Sequence, residues 1–228
     1  METMGIMTEN EVFTYFQKQD NFSKFCHVVE LQKEDKFPEL SSTEYIYFIE
    51  HGLVCYQYEG GSKTIIPAFL WDGDMISPFR QKALSGFSLY FYALKDTKMW
   101  RIQKKEAERY LRRSNWLNRL YHNEYSQERE VIQNLYHRGF YSAEKLVIAC
   151  LYQLASRYCD EDASEWVLPN EITQALFANY VGISREHLSG IITELLEGGQ
   201  IHTEQKAWKV LDANKTRNIY ASLAEINL

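Results

Sequence analysis

The 32 residues from Asn170 to Ile201, NEITQALFANYVGISREHLSGIITELLEGGQI, constrain the fold more than any other part of the chain. Their pattern predicts two short helices around a tight turn. Thr173 stands where it can cap the first helix, which runs to Tyr180 with Leu176, Phe177 and Tyr180 at helical spacing. Gly182 supplies the turn, and Ile183 plugs the angle between the helices. Ser184 can cap a second helix whose inward face is Leu188, Ile191, Ile192, Leu195 and Leu196. Arg185, Glu186 and His187 then fall in the exposed first turn of that helix. A helix-turn-helix reader of DNA carries its base-touching side chains at that place. The segment that follows, IHTEQKAWKVLD, reads as two short strands joined by a turn, a wing.

Short helix pairs with a glycine turn also occur as plain packing units, so the residues around the turn carry the specificity. Ile172-Thr173, Val181-Gly182, Ser184-Arg185-Glu186, Ile191 and Leu195 stand in one ungapped register. With them the stretch resembles the CRP/FNR family of bacterial transcription regulators. The resemblance implies a DNA-binding regulator that acts as a homodimer on a palindromic operator, with RNA polymerase as a possible further partner; the start METMGIMTENEVF, with neither a basic opening nor a long apolar core, sets the expectation of a cytoplasmic protein.

Upstream, residues 1–20 read as helical, with Val12, Phe13 and Phe16 as an apolar patch. From about Phe22 to Ile102 the pattern changes to short β-type runs separated by turns. YIYFIEHGLVCYQY breaks at His51-Gly52. Gly60-Gly61 marks a hairpin turn. Asp72-Gly73-Asp74 marks another turn, and SLYFYALKDTKMWRI is strand-like. Strands at this spacing predict an antiparallel barrel or sandwich. The resemblance narrows this to the β-roll of cyclic-nucleotide-binding domains, with His51-Gly52 and Gly73-Asp74 matching turns of the family pattern. The expected architecture is therefore α+β: an N-terminal antiparallel β-roll over 1–103, a long dimerisation helix over 104–138, and a C-terminal winged helix-turn-helix over 139–228.

A helical zone begins with KKEAERYL at Lys104. Within it Leu117, Tyr121, Tyr125, Glu128, Ile132 and Leu135 recur at gaps of four or three, an impure coiled-coil seam. Such a helix either packs on its own β-roll or pairs with its twin. The resemblance implies pairing, and a single helix-turn-helix reads few base pairs on its own. His137-Arg138-Gly139 marks a hinge. SAEKLVIACLYQLASRY then predicts an amphipathic helix, CDEDASEW an acidic loop, and the tail from Ala213 a polar, partly helical end.

The predicted interface uses few side chains. Arg185 suits a bidentate contact to guanine O6 and N7, and Glu186 can accept from a cytosine amino group; the resemblance implies the same two roles. His187 and Ser189 are placed to touch phosphate or a neighbouring base. Thr173 and Gln174 suit phosphate binding, as does Ser184 at the cap, and Lys206 and Lys209 on the wing suit backbone contacts. Gly190 departs from the family pattern, where some members carry a further base-contacting arginine, so the half-site should differ from theirs.

Charge argues the other way. Residues 139–228 hold 7 Lys and Arg against 12 Asp and Glu, a net of −5, whereas phosphate binding favours a positive face. Residues 98–138 hold 10 basic against 5 acidic, a net of +5. Modest affinity with a shallow salt slope is expected. The acidic C-terminal half supports a second class of function: a dimeric small-molecule sensor or protein-interaction module that has lost DNA binding.

No effector is legible. Cyclic-nucleotide pockets need a glutamate for the ribose and an arginine for the phosphate, yet GDMISPFRQKALSGFSLYFYAL has no glutamate, and Arg80 is out of place. The expectation is a regulator that does not respond to cyclic AMP. His51 or His27 could ligate haem, but a lone histidine on a turn is usually a polar turn residue. Tyr90, Phe91, Tyr92 and Trp100 suit either a pocket lining or, as alternating aromatics more often do, core packing. Cys26, Cys55, Cys150 and Cys159 are dispersed, with no zinc-knuckle spacing and no N-terminal cluster for iron–sulfur ligation. A thiol-based redox response at Cys26 or Cys55 is the alternative to free buried thiols. No cofactor or metal is expected. No apolar run nears the ~20 residues of a membrane helix. No glycine-rich phosphate loop, nucleophile elbow or metal-binding histidine pair points to an enzyme.

Overall fold

The computed structural model of the 228-residue chain describes residues 9–37, 44–76, 88–112, 118, 137–159, 165–204, 207–210, 216, 218 and 221. The chain separates into two compact units, Met1–Val131 and Ile132–Leu228.

The first unit opens with helix α1 (Glu9–Gln17) and a single helical turn, α2 (Phe22–Phe25). Among the described residues nine strands follow: β1 (Cys26–Leu31), β2 (Lys36–Phe37), β3 (Tyr45–His51), β4 (Leu53–Gly60), β5 (Lys63–Ile65), β6 (Phe69–Trp71), β7 (Met75–Ile76), β8 (Ser88–Ala93) and β9 (Thr97–Gln103). They form two antiparallel sheets. One has the order β1-β9-β3-β7; the other has the order β2-β8-β4-β5, with β6 also paired to β4. The space between the sheets is filled by Leu31, Tyr47, Ile49 and Met99 from the first and Val54, Tyr56, Leu89, Phe91 and Ala93 from the second. Side chains alternate across a strand, so Ile46 and Phe48 of β3 face the other way. There they meet Phe13 and Phe16 of α1, Phe25, Ile102, and Ala107 and Leu111 of helix α3 (Lys104–Arg112). Burial on both faces is why YIYFI is a continuous apolar run rather than an alternating one.

Two of the crossings between the sheets are held by contacts at the crossing point. After β3 the chain passes into the second sheet at Gly52, whose φ of 145° and close approach to the Thr97 side chain exclude a Cβ. The Gly52 N–H donates to Asp72 Oδ1 at 2.7 Å, tying this crossing to the Asp72-Gly73-Asp74 turn. The second crossing corrects the expectation for SLYFYALKDTKMWRI. It is not one strand but two, β8 and β9, in different sheets, with Leu94 N–H donating to Leu53 O at 2.8 Å between them. The β4–β5 hairpin closes on Gly61-Ser62, one residue beyond the expected Gly60-Gly61, because Gly60 still pairs with Lys63. Phe22–Phe25 is helical rather than extended, which turns Phe25 into the aromatic cluster against Tyr110 at 5.0 Å.

Of the helical zone predicted over 104–138, α3 is described; the seam residues Leu117, Tyr121, Tyr125, Glu128, Ile132 and Leu135 lie outside the described residues. So does most of the tail after residue 210.

The second unit is built on helix α4 (Ala143–Tyr158), capped by Ser142, whose side chain accepts from Lys145 N–H. Leu146 to Leu151 are buried without a break, so α4 is enclosed on most sides rather than amphipathic. It packs against strand β10 (Trp166–Leu168) and against helices α5 (Gln174–Val181) and α6 (Arg185–Glu197). Strands β11 (Ile201–Glu204) and β12 (Ala207–Val210) form the expected hairpin. Sequence reading missed β10, which pairs with β12 and completes a three-stranded sheet of order β10-β12-β11. Trp166 anchors it, fully buried with its ring edge-on to Tyr152 at 5.6 Å.

Candidate nucleic-acid interface

The helix pair is fixed at each of its ends by local chemistry. Thr173 Oγ1 accepts from Leu176 N–H at 3.3 Å and starts α5. Gly182, in the left-handed region at φ 87°, ends it. Gly182 N–H and Ile183 N–H both donate to Ala178 O, at 2.7 and 3.1 Å, which closes the last turn of α5 and starts the chain on a new course. Two residues later Ser184 Oγ accepts from His187 N–H at 3.1 Å, starting α6. The second helix stops as cleanly. Gly199 at φ 64° lets Gln200 N–H reach Leu195 O at 2.9 Å and Gly199 N–H reach Leu196 O at 3.0 Å.

The inward face of α6 is Leu188, Ile191, Ile192 and Leu195, all buried, with Leu196 half-buried. Phe177, Tyr180 and Val181 of α5 are buried as well, and Tyr180 Oη donates to Gln153 Oε1 of α4 at 3.4 Å. The opposite face of α6 exposes Arg185, Glu186, His187, Ser189, Gly190, Thr193 and Glu194. Among the described residues Arg185 makes no ion pair. It stands at the positive end of its helix, where a cation gains nothing from the helix dipole, so its guanidinium is available to an external acceptor.

The structure therefore brings Ser184, Arg185, Glu186, His187 and Ser189 to one exposed helix end, with Thr173 exposed and Gln174 half-exposed at the start of α5. Two of these groups are partly engaged: the Thr173 and Ser184 hydroxyls already accept from the helices they cap. Lys206 lies outside the described residues. Lys209 is on β12, opposite His202 and Val167, and its side chain is not described. Arg138, in the expected hinge segment, sits at the turn itself: its Nη2 donates to Tyr180 O at 2.6 Å. No local pattern marks that contact, because the partners are 42 residues apart.

The other candidate sites resolve differently. Tyr90, Phe91, Tyr92 and Trp100 do not line a common surface. Phe91 fills the space between the sheets, and Trp100 packs on Phe13 and Phe22 at 5.7 and 5.3 Å and donates to Glu50 Oε2. Tyr90 and Tyr92, which alternate with Phe91, point to the other face of β8. Tyr90 Oη bonds there to Gln57 Oε1 at 2.9 Å and to Glu59. His27 is exposed on β1, and His51 Nδ1 lies 3.6 Å from Asp72 Oδ2, so neither faces an enclosed site. The Cys26 and Cys55 thiols are buried, and burial pushes both up to about 12, the opposite of the lowered values of redox-reactive cysteines. Residues 77–87, including Arg80, lie outside the described residues. Among the described residues, no group of three or more His, Cys, Asp or Glu is placed to hold a metal, and no helix is long and apolar enough to cross a membrane.

Two antiparallel sheets followed by a helix pair and a small sheet define a class of solved structures. No family model and no curated protein matches the sequence. The fold is that of CRP/FNR regulators. FixK2 from Bradyrhizobium japonicum superposes with a TM-score of 0.69 over 85% of this chain and 96% of its own, at 19% identity. A cyclic nucleotide-binding domain containing protein from Listeria monocytogenes gives 0.71 over 90% and 98%, at 17% identity. TTHA1359, a CRP/FNR-family transcriptional regulator from Thermus thermophilus, gives 0.62 over 86% and 98%, at 18% identity.

Proposed function

We propose that this chain is a sequence-specific DNA-binding transcription regulator, acting as a homodimer on a palindromic operator and without response to cyclic AMP. One observation carries the reading. A helix buried on one side and capped at both ends presents Arg185, Glu186, His187 and Ser189 to solvent at its N-terminal end. That geometry suits insertion into a major groove. In this reading α5, α6 and the β11–β12 hairpin work as a winged helix-turn-helix. Arg185 reads a guanine, and Glu186 accepts from a cytosine amino group. Thr173, Gln174, Ser184, His187, Ser189, Lys206 and Lys209 supply phosphate or flanking contacts. The first 103 residues sense or stabilise, 104–138 pair two copies through Leu117, Tyr121, Tyr125, Ile132 and Leu135, and 139–228 read the operator. A ligand, if one acts, shifts the dimer so that both reading helices fit successive grooves.

The test is selection of bound sequences from a random DNA pool, with wild type and Arg185→Ala side by side. A palindromic motif with a G·C pair in each half, relaxed in the variant, is the expected result. The second reading, a sensor or interaction module without DNA binding, draws on the acidic residues Glu186, Glu194 and Glu197 exposed on the same helix. It prevails if no motif is enriched with or without cell extract.

A further inference from the structure

The described part of the second unit opens with a helical turn over 137–140. Tyr141 N–H donates to His137 O at 2.9 Å, and the two rings stack at 4.8 Å. Arg138 reaches from this turn to the end of α5. Tyr180 O, which accepts its Nη2 at 2.6 Å, is among the final carbonyls that a helix cannot satisfy from within. A cation there also meets the negative end of the helix dipole. The rest of the guanidinium covers Gly182: a Cβ built on that glycine would fall 2.9 Å from Arg138 Nε and 3.0 Å from Cζ. Gly182 thus answers two demands at once, a left-handed φ and room for Arg138.

We propose that Arg138 is a positioning residue for the base-reading helix, holding the end of α5 and the Gly182 turn so that α6 leaves in one direction relative to the incoming turn at 137–140. Gly182 is two residues from the Ser184 cap and three from Arg185, so a small rotation at the turn is carried directly to the reading end of α6. The functional consequence rests on the DNA-reading assignment above; the geometric claim does not. Arginine suits the task because its planar fork can bond a carbonyl and lie flat on a glycine together, which a lysine ammonium cannot.

Two measurements on the full-length protein test this. In a Cys159→Ser background, spin labels at Phe140→Cys and Glu197→Cys report the distance between the incoming turn and the far end of α6 without any DNA. Both positions are exposed. A narrow distribution that broadens or shifts in Arg138→Met, broadens in Gly182→Ala and is partly restored in Arg138→Lys is the expected result. A distribution unchanged in Arg138→Met overturns the proposal, whatever Gly182→Ala does through its backbone strain. The second measurement compares binding to the selected operator with binding to random duplex. Arg138→Met should lose about tenfold of that ratio, the worth of one misplaced base contact, with random-duplex affinity kept. If operator and random binding fall together in step with the folded fraction, Arg138 is a stabilising residue only and the proposal fails. If wild type itself prefers no sequence, the DNA-reading assignment falls, and the label distances still decide the role of Arg138.

Discussion

Gly182 is the residue on which the helix pair turns, and the requirement for it is both conformational and steric. At φ 87° any other L-residue is strained, and an added methyl meets the Arg138 guanidinium. Gly182→Ala is expected to cost ~1–3 kcal/mol, read as a lowered urea midpoint with an unchanged slope. The caps are milder: Thr173→Ala and Ser184→Ala should each cost about 1 kcal/mol, and wild-type stability in either variant would contradict the observed bonds. The thiols give a pH prediction. Burial raises Cys26, Cys55 and Cys150 from an ordinary value of 9.0 to about 12 in the folded chain. A group raised on folding stabilises fully below its unfolded value and ceases to do so as pH climbs through its folded one. Stability should therefore be flat in these groups up to about pH 9 and fall between about 9 and 12. At neutral pH an aromatic disulfide reagent should modify the half-exposed Cys159 first and the other three only on unfolding. Fast reaction of Cys26 or Cys55 in the native protein would revive the redox alternative. Caps and turn glycine were legible because each acts within four residues of itself; Arg138 was not, since its meaning depends on a carbonyl far along the chain.

Helix α6 shows what an element can reveal when one of its residues has no internal reason. Gly190 lies mid-helix and exposed, with nothing within 4 Å of where its Cβ would stand. Glycine there costs the helix roughly 0.5–1 kcal/mol against alanine. Gly190→Ala should raise the melting temperature accordingly; a lowered value would mean that the glycine serves the fold. The helix itself was readable from its apolar period. Strand β10 was not. Three residues behind an acidic loop carry no period, and only pairing of Trp166, Val167 and Leu168 with Val210, Lys209 and Trp208 makes them a strand. Helix α4 was placed correctly but misjudged in character, because the apolar run Leu146 to Leu151 finds partners on more than one side.

At the scale of the whole molecule, charge sets the expected behaviour. With a net charge of −6 and an acidic C-terminal half, few phosphates can be neutralised. Operator affinity should fall by less than about 10³-fold between 50 and 200 mM salt, below the range for proteins making 6–10 phosphate contacts. A steeper slope would place basic residues of 98–138 at the DNA as well. The sequence by itself determined the helix pair, its caps, its turn and its exposed first turn, because capping and amphipathic period are written over neighbouring residues. It also determined that the N-terminal half is made of short antiparallel strands. The tertiary structure decided which sheet each strand joins, where SLYFYALKDTKMWRI divides, which aromatics pack inside, and that Arg138 holds the turn. Those outcomes depend on contacts between residues far apart in the chain, and no local pattern of residue types encodes which distant surface a side chain will meet.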